Sequence, residues 1–160
     1  MSLEMKPEIK KVLEKIEFIN RYKVLSEQFR GNPNDINDRL GNYDIEKVNE
    51  IFIKLGYEAA FDNKERFFKV GVVDNSSDYM VWFNVNLEYG MTEFIWVVYH
   101  KNEVRLGSPW SVYSRSLIDS SVRIKKPVYR NYEELEEILK TAFLMYEDFK
   151  FELINLYNEH

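Results

Sequence analysis

The chain has 160 residues, 45% of them hydrophobic and 31% charged, with a net charge of −5 and no cysteine. That length buries a core without staples, and the composition argues against disorder. The missing thiols exclude disulfides, thiolate zinc sites and cysteine nucleophiles, and no apolar run reaches the roughly 20 residues of a membrane span. The opening MSLEMKPEIKK lacks the apolar stretch of a signal peptide, so a single domain over 1–160 in the cytoplasm is expected. Met1-Ser2-Leu3 reads as an expression scar and His160 as a tag remnant.

Residues 7–29 read as one helix, with Pro7 in its first turn and Ile9, Val12, Leu13, Ile16, Ile19 and Tyr22 at helical spacing. RGNPNDINDRLGNY ends it, and Asp44 is placed to cap a second helix that buries Ile45, Val48, Ile51, Phe52 and Leu55. Gly56 stands where a helix end favours a left-handed residue. Strands are then predicted at 57–61, 66–73, 79–87, 91–100 and 103–106, with DNKE and DNSSD as turns. GSP breaks the pattern before WSVYS, and 114–130 reads as one more short strand or a loop. Asn131 caps a long closing helix, with Glu134 as the reciprocal partner of a capping box. Strand runs bounded by helices, without βαβ alternation, predict an α+β fold: two N-terminal helices, an antiparallel meander of about five strands and a long C-terminal helix.

The stretch MVWFNVNLEYGMTEFIWVV (80–98) holds the strongest pointer to a surface. A three-residue turn Glu88-Tyr89-Gly90 would set Val85 opposite Glu93, Phe83 opposite Ile95 and Val81 opposite Val97, a mostly apolar core face. The other face would then carry Trp82 opposite Trp96, Asn84 opposite Phe94 and Met80 opposite Val98, with Asn86 beside them. An aromatic cross-strand pair contributes about 0.2–1 kcal/mol. Three readings of this face stand: second-layer core under the first helix, a homodimer seam, or an open binding platform of Met80, Trp82, Phe94 and Trp96 with Asn84 and Asn86. Aromatics with little charge suit the centre of an interface.

No catalytic constellation emerges. His100 ends the fourth strand on the face of Trp96, without an evident carboxylate or nucleophile beside it. The serines lie in no G-x-S-x-G elbow, and no Gly-rich phosphate loop exists. Asp35, Asn37 and Glu46 match three positions of a calcium loop, but Arg39 and Leu40 occupy positions that spoil it. No metal or cofactor is expected. Charge is uneven: 104–130 holds six basic residues against Asp119 alone, and 131–160 holds eight acids against Lys140 and Lys150. The two stretches would neutralise each other by packing together, or the acidic turn of Glu133, Glu134 and Glu137 would meet a basic partner. Arg123, Lys125, Lys126 and Arg130 could touch phosphates, but the net charge argues against nucleic acid.

A small acidic cysteine-free chain of this element order resembles the SUKH-type immunity proteins of bacterial toxin systems, and NYDIEKVNEIFIKLGYE (42–58) is similar to their helix-entry segment, whereas RNYEELEEILKTAF (130–143) resembles the terminal helix of many unrelated bacterial proteins. The resemblance lies in the layout, and no functional residue is carried over. It implies a non-enzymatic protein that blocks a toxin, often a nuclease, by binding it. The expected function is therefore occlusion of a basic protein partner. The alternative is a small-molecule domain with an aromatic pocket between sheet and helices, where Asn84, Asn86 and His100 orient the ligand.

Overall fold

A computed structural model describes residues 5–75 and 78–159. The expected scar at 1–3, the expected tag remnant His160 and residues 76–77 of the expected DNSSD turn lie outside them.

The apolar periodicity at 7–29 does form helix, but as two pieces, α1 (Pro7–Lys15) and α2 (Phe18–Gln28). Glu17 between them is left-handed, with φ 56°. The break has a geometric cause. At about 100° per residue a straight helix would carry Phe18 on the side opposite Ile9. Both are fully buried, as are Leu13 and, nearly so, Tyr22 and Leu25. A left-handed residue costs about 1–2 kcal/mol, whereas burying a single Phe returns about 1.5–3 kcal/mol. Three large side chains turned inward decide the balance.

Helix α3 (Ile45–Lys54) starts as expected, with the Asp44 carboxylate accepting the Glu46 N–H at 2.9 Å, and Gly56 follows it at φ 93°. Strands β1 (Ala59–Asp62), β2 (Phe67–Asn75), β3 (Tyr79–Asn86), β4 (Glu93–His100) and β5 (Glu103–Leu106) make one antiparallel sheet in sequence order. The stretch WSVYS opens a further helix, α4 (Trp110–Leu117), and 118–130 then runs without a strand apart from a single bridge of Val128 to Met91. The closing α5 (Tyr132–Asn158) is capped as predicted, the Asn131 side chain accepting the Glu134 N–H at 2.8 Å. The Glu134 carboxylate reaches back one residue beyond the cap, to the Arg130 N–H. The α+β class and the five-stranded meander stand as expected.

One bulge shapes the sheet. Val70 pairs with Phe83 and Val73 with Val81, so Gly71 and Val72 together oppose Trp82. Gly71 has φ 63° and its carbonyl accepts the Tyr146 hydroxyl of α5. The absent side chain lets that ring approach, which seats α5 on the sheet.

The buried helical aromatics converge on one side of the sheet. Phe83 meets Trp110, Phe143 and Tyr146, while Trp96 stacks on Phe149 with centroids 4.4 Å apart and meets Phe18 edge-on. Phe52 and Phe61 close on Phe68. The core is thus a slab of interlocked rings between sheet and helices.

Candidate functional site

The hairpin register differs from expectation by one residue. Trp82 pairs with Val97, Phe83 with Trp96 and Val85 with Phe94. The cause lies in the turn, where both Tyr89 (φ 63°) and Gly90 (φ 71°) are left-handed. Met91 and Thr92 are drawn out of the ladder: Met91 bridges Val128, and the Thr92 N–H and hydroxyl both donate to the Pro127 carbonyl. Strand β4 therefore begins at Glu93 and not at Met91. A one-residue slip turns every β4 side chain to the other face. Trp96 and Phe94, expected beside Trp82, are 0% and 2% exposed in the core. They cannot serve as a partner surface. Glu93, Ile95 and Val97, expected inside, take their place outside.

The face left outside is built from Lys69 on β2, Met80, Trp82, Asn84 and Asn86 on β3, and Glu93, Ile95, Val97 and Tyr99 on β4. Among the described residues no aromatic contact or side-chain hydrogen bond joins Trp82 to a helix. Its ring stacks on Tyr99, with centroids 5.8 Å apart and planes 13° from parallel, and the Lys69 ammonium stands 4.2 Å from its centroid. The indole N–H donates to Asn84 Oδ1 at 3.1 Å. Tyr99 is the diagonal neighbour of Trp82 across the strands, within reach of long aromatic rings. This stack, and not a tryptophan pair, organises the surface. Asn86 is committed to the turn: its amide donates to the Arg66 carbonyl at 3.2 Å and its oxygen accepts the Glu88 N–H at 3.1 Å.

The acidic turn divides as well. The Arg130 guanidinium holds Glu134 at 3.4 Å, and Lys54 holds Glu136 at 3.0 Å, whereas Glu133 and Glu137 are exposed. Because α5 packs on the core side, this turn belongs to the helical layer and the Trp82 face to the opposite side. The expected neutralisation of 104–130 by the acidic helix reduces to Arg130–Glu134; Arg105 pairs with Glu8, Lys126 with Glu93, and Arg130 also with Asp38.

His100 does have a carboxylate nearby, which sequence reasoning missed because Asp78 is distant along the chain. Its Nε2 lies 3.7 Å from Asp78 Oδ1, and its ring stacks on Tyr157 at 3.9 Å. The Tyr157 hydroxyl donates to Glu8 at 2.9 Å, and Arg105 donates to both Glu8 oxygens at 2.7 and 2.8 Å. These contacts tie α1, β5 and the end of α5 together. The Arg105 hydrogen bonds hold the Glu8 carboxyl at about 2, against a smaller opposing effect of burial, and burial pushes the Tyr157 hydroxyl up. His100 follows the inward alternation of Trp96 on β4, while Asn84 and Asn86 project from the opposite face. The sheet thus separates the three residues expected to share a ligand.

Among the described residues no helix is long and apolar enough to cross a membrane, and no cluster of His, Asp and Glu could hold a metal ion. Comparison with protein-family models, with curated proteins and with solved structures finds no match.

Proposed function

We propose that the chain is a non-enzymatic protein-binding domain, of the inhibitor or immunity kind, that docks through the outer face of its sheet. The observation that carries the reading is the Trp82–Tyr99 stack, braced by Lys69, on the face that the helical aromatics leave alone. A large ring with its rotamer already fixed loses little entropy on binding, which is why tryptophan and tyrosine anchor interfaces. Half-buried Met80 and Ile95 flank the stack with apolar surface, and Val97, paired with Trp82, lies buried beneath it. Asn84 keeps its amide group without a partner among the described residues, available to a partner's carbonyl. The mechanism is occlusion: the patch covers part of its target, and the exposed Glu133 and Glu137 on the helical layer favour a basic partner. The small-molecule alternative loses support, because its three polar residues stand on two sides of the sheet.

Affinity capture from the native lysate tests this, with the folded Trp82→Ser variant as control. A protein recovered stoichiometrically by the parent chain should lose about 2 kcal/mol of affinity or more with the variant, roughly thirty-fold. Equal capture by both chains would remove the outer face from the interface. A concentration-dependent dimer that dissociates in the variant would make the face a homodimer seam instead.

A further inference from the structure

A second surface lies on the flank of the helical layer, and its charge runs against that of the chain. A cleft of about 450 Å³ opens between α2 and the irregular segment that follows α4. Its walls carry Lys23 from α2, Arg30 just beyond the end of that helix, and Arg123 and Lys125 from the segment, opposed by Glu27 alone. Arg30 meets Glu27 at 3.6 Å with both side chains largely in solvent, a pair that contributes little. Lys23 and Lys125 are exposed and have no ion-pair partner among the described residues. Four cations around one carboxylate, in a chain of net charge −5, repel one another unless an anion joins them. The Arg123 guanidinium is held over the wall by the Ser120 and Val122 carbonyls, at 2.8 and 3.0 Å.

The cleft is a fixed feature. Ser26, buried on α2, donates its hydroxyl to the Lys125 carbonyl at 2.6 Å, and the Val128 N–H donates to the Phe29 carbonyl at 2.8 Å. These bonds pin the segment to the helix along the floor. Above them the N–H groups of Arg123, Ile124 and Lys125 make no hydrogen bond among the described residues. Half-buried Val122 and Ile124 alternate with the cations. Cations and apolar side chains in alternation, beside unpaired backbone donors, match an extended peptide with the complementary pattern.

We infer that the cleft between α2 and residues 122–125 binds an acidic peptide segment of a protein, its carboxylates against Lys23, Arg30, Arg123 and Lys125 and its apolar residues against Val122 and Ile124. A nucleic acid fits less well. No aromatic ring lines the cleft for a base to stack on, Glu27 would face phosphates, and the net charge repels a long polyanion. This site is independent of the Trp82 face and takes a ligand of opposite charge to the one Glu133 and Glu137 would attract.

The test is fluorescence anisotropy with a labelled decapeptide alternating Glu and Val, beside a Lys–Val peptide and an oligouridine of equal length. Saturable binding of the Glu–Val peptide is expected, weakened about tenfold by raising the salt to roughly 0.5 M. The variant K23E/K125E should weaken it at least tenfold, and the single variant K23E by less. Both lysines are exposed and without an ion-pair partner among the described residues, so circular dichroism and thermal melting should match the parent chain. No saturable binding of the Glu–Val peptide, undiminished binding to the folded double variant, or tighter binding of the Lys–Val peptide or of oligouridine would each overturn the assignment.

Discussion

The two tryptophans of the central hairpin, fourteen positions apart, should respond oppositely to truncation. Trp96 is fully buried and touches Phe149, Trp110, Phe18 and Tyr146 within centroid distances of 4.4–6.1 Å. Truncating such a ring to alanine costs about 3–5 kcal/mol in lost transfer energy and cavity. Its indole N–H has no partner in the core, so Trp96→Ala also removes an unsatisfied donor worth about 1–3 kcal/mol. The net loss should lie near the lower end, at about 3 kcal/mol. Trp82→Ala forfeits the Tyr99 stack, about 0.5–1.5 kcal/mol, and the Lys69 contact, about 0.5–1 kcal/mol, but opens no cavity. Its cost should be about 1–2 kcal/mol. Urea unfolding of the parent and the two variants measures both, with unchanged slopes taken as the sign of a common two-state transition. Of a total stability of about 5–15 kcal/mol, the core variant should lose a large share and the outer one little. Equal losses, or a larger loss for Trp82→Ala, would refute the register and cover the face assigned to a partner.

Two further outcomes follow from particular contacts. The Glu8 carboxyl sits at about 2 in the folded chain against an ordinary 4.5, chiefly through its Arg105 hydrogen bonds. A carboxyl depressed by folding contributes stability that is present above its unfolded value and is lost as pH falls from 4.5 toward 2. Thermal melts across that window should show Glu8→Gln less stable than the parent at neutral pH, with the difference shrinking on acidification; a constant difference would mean that the clasp is not ionic. Gly71→Ala should destabilise by about 2 kcal/mol in thermal or urea unfolding. Its β-carbon would stand 2.8 Å from the Tyr146 ring at a backbone φ of 63°, and a neutral effect would remove the bulge from the account.

Local chemistry made much of the fold legible. Asp44 and Asn131 mark helix starts because their side-chain oxygens accept N–H groups within three residues, a requirement that involves no distant chain. Alternation in Tyr79–Asn86 reveals the inner face of β3 for the same reason. Helix α4 escaped notice because GSP precedes it and because its burial rests on Trp110 and Tyr113 meeting rings from α2 and β4. The break at Glu17 likewise answers to the position of the core and not to propensity.

What the sequence determined by itself was the α+β class, the order of five strands and the caps, all set by interactions between neighbours. The tertiary structure alone decided which tryptophan faces out. That choice hangs on one residue of register, and the register is fixed by Met91 and Thr92 binding Val128 and Pro127, more than thirty positions away. It also decided the basic cleft, where Lys23 and Lys125 share a wall because Ser26 holds the Lys125 carbonyl and Val128 binds Phe29. Period-two alternation is identical for both registers of a strand, so only a contact from elsewhere in the chain can choose between them.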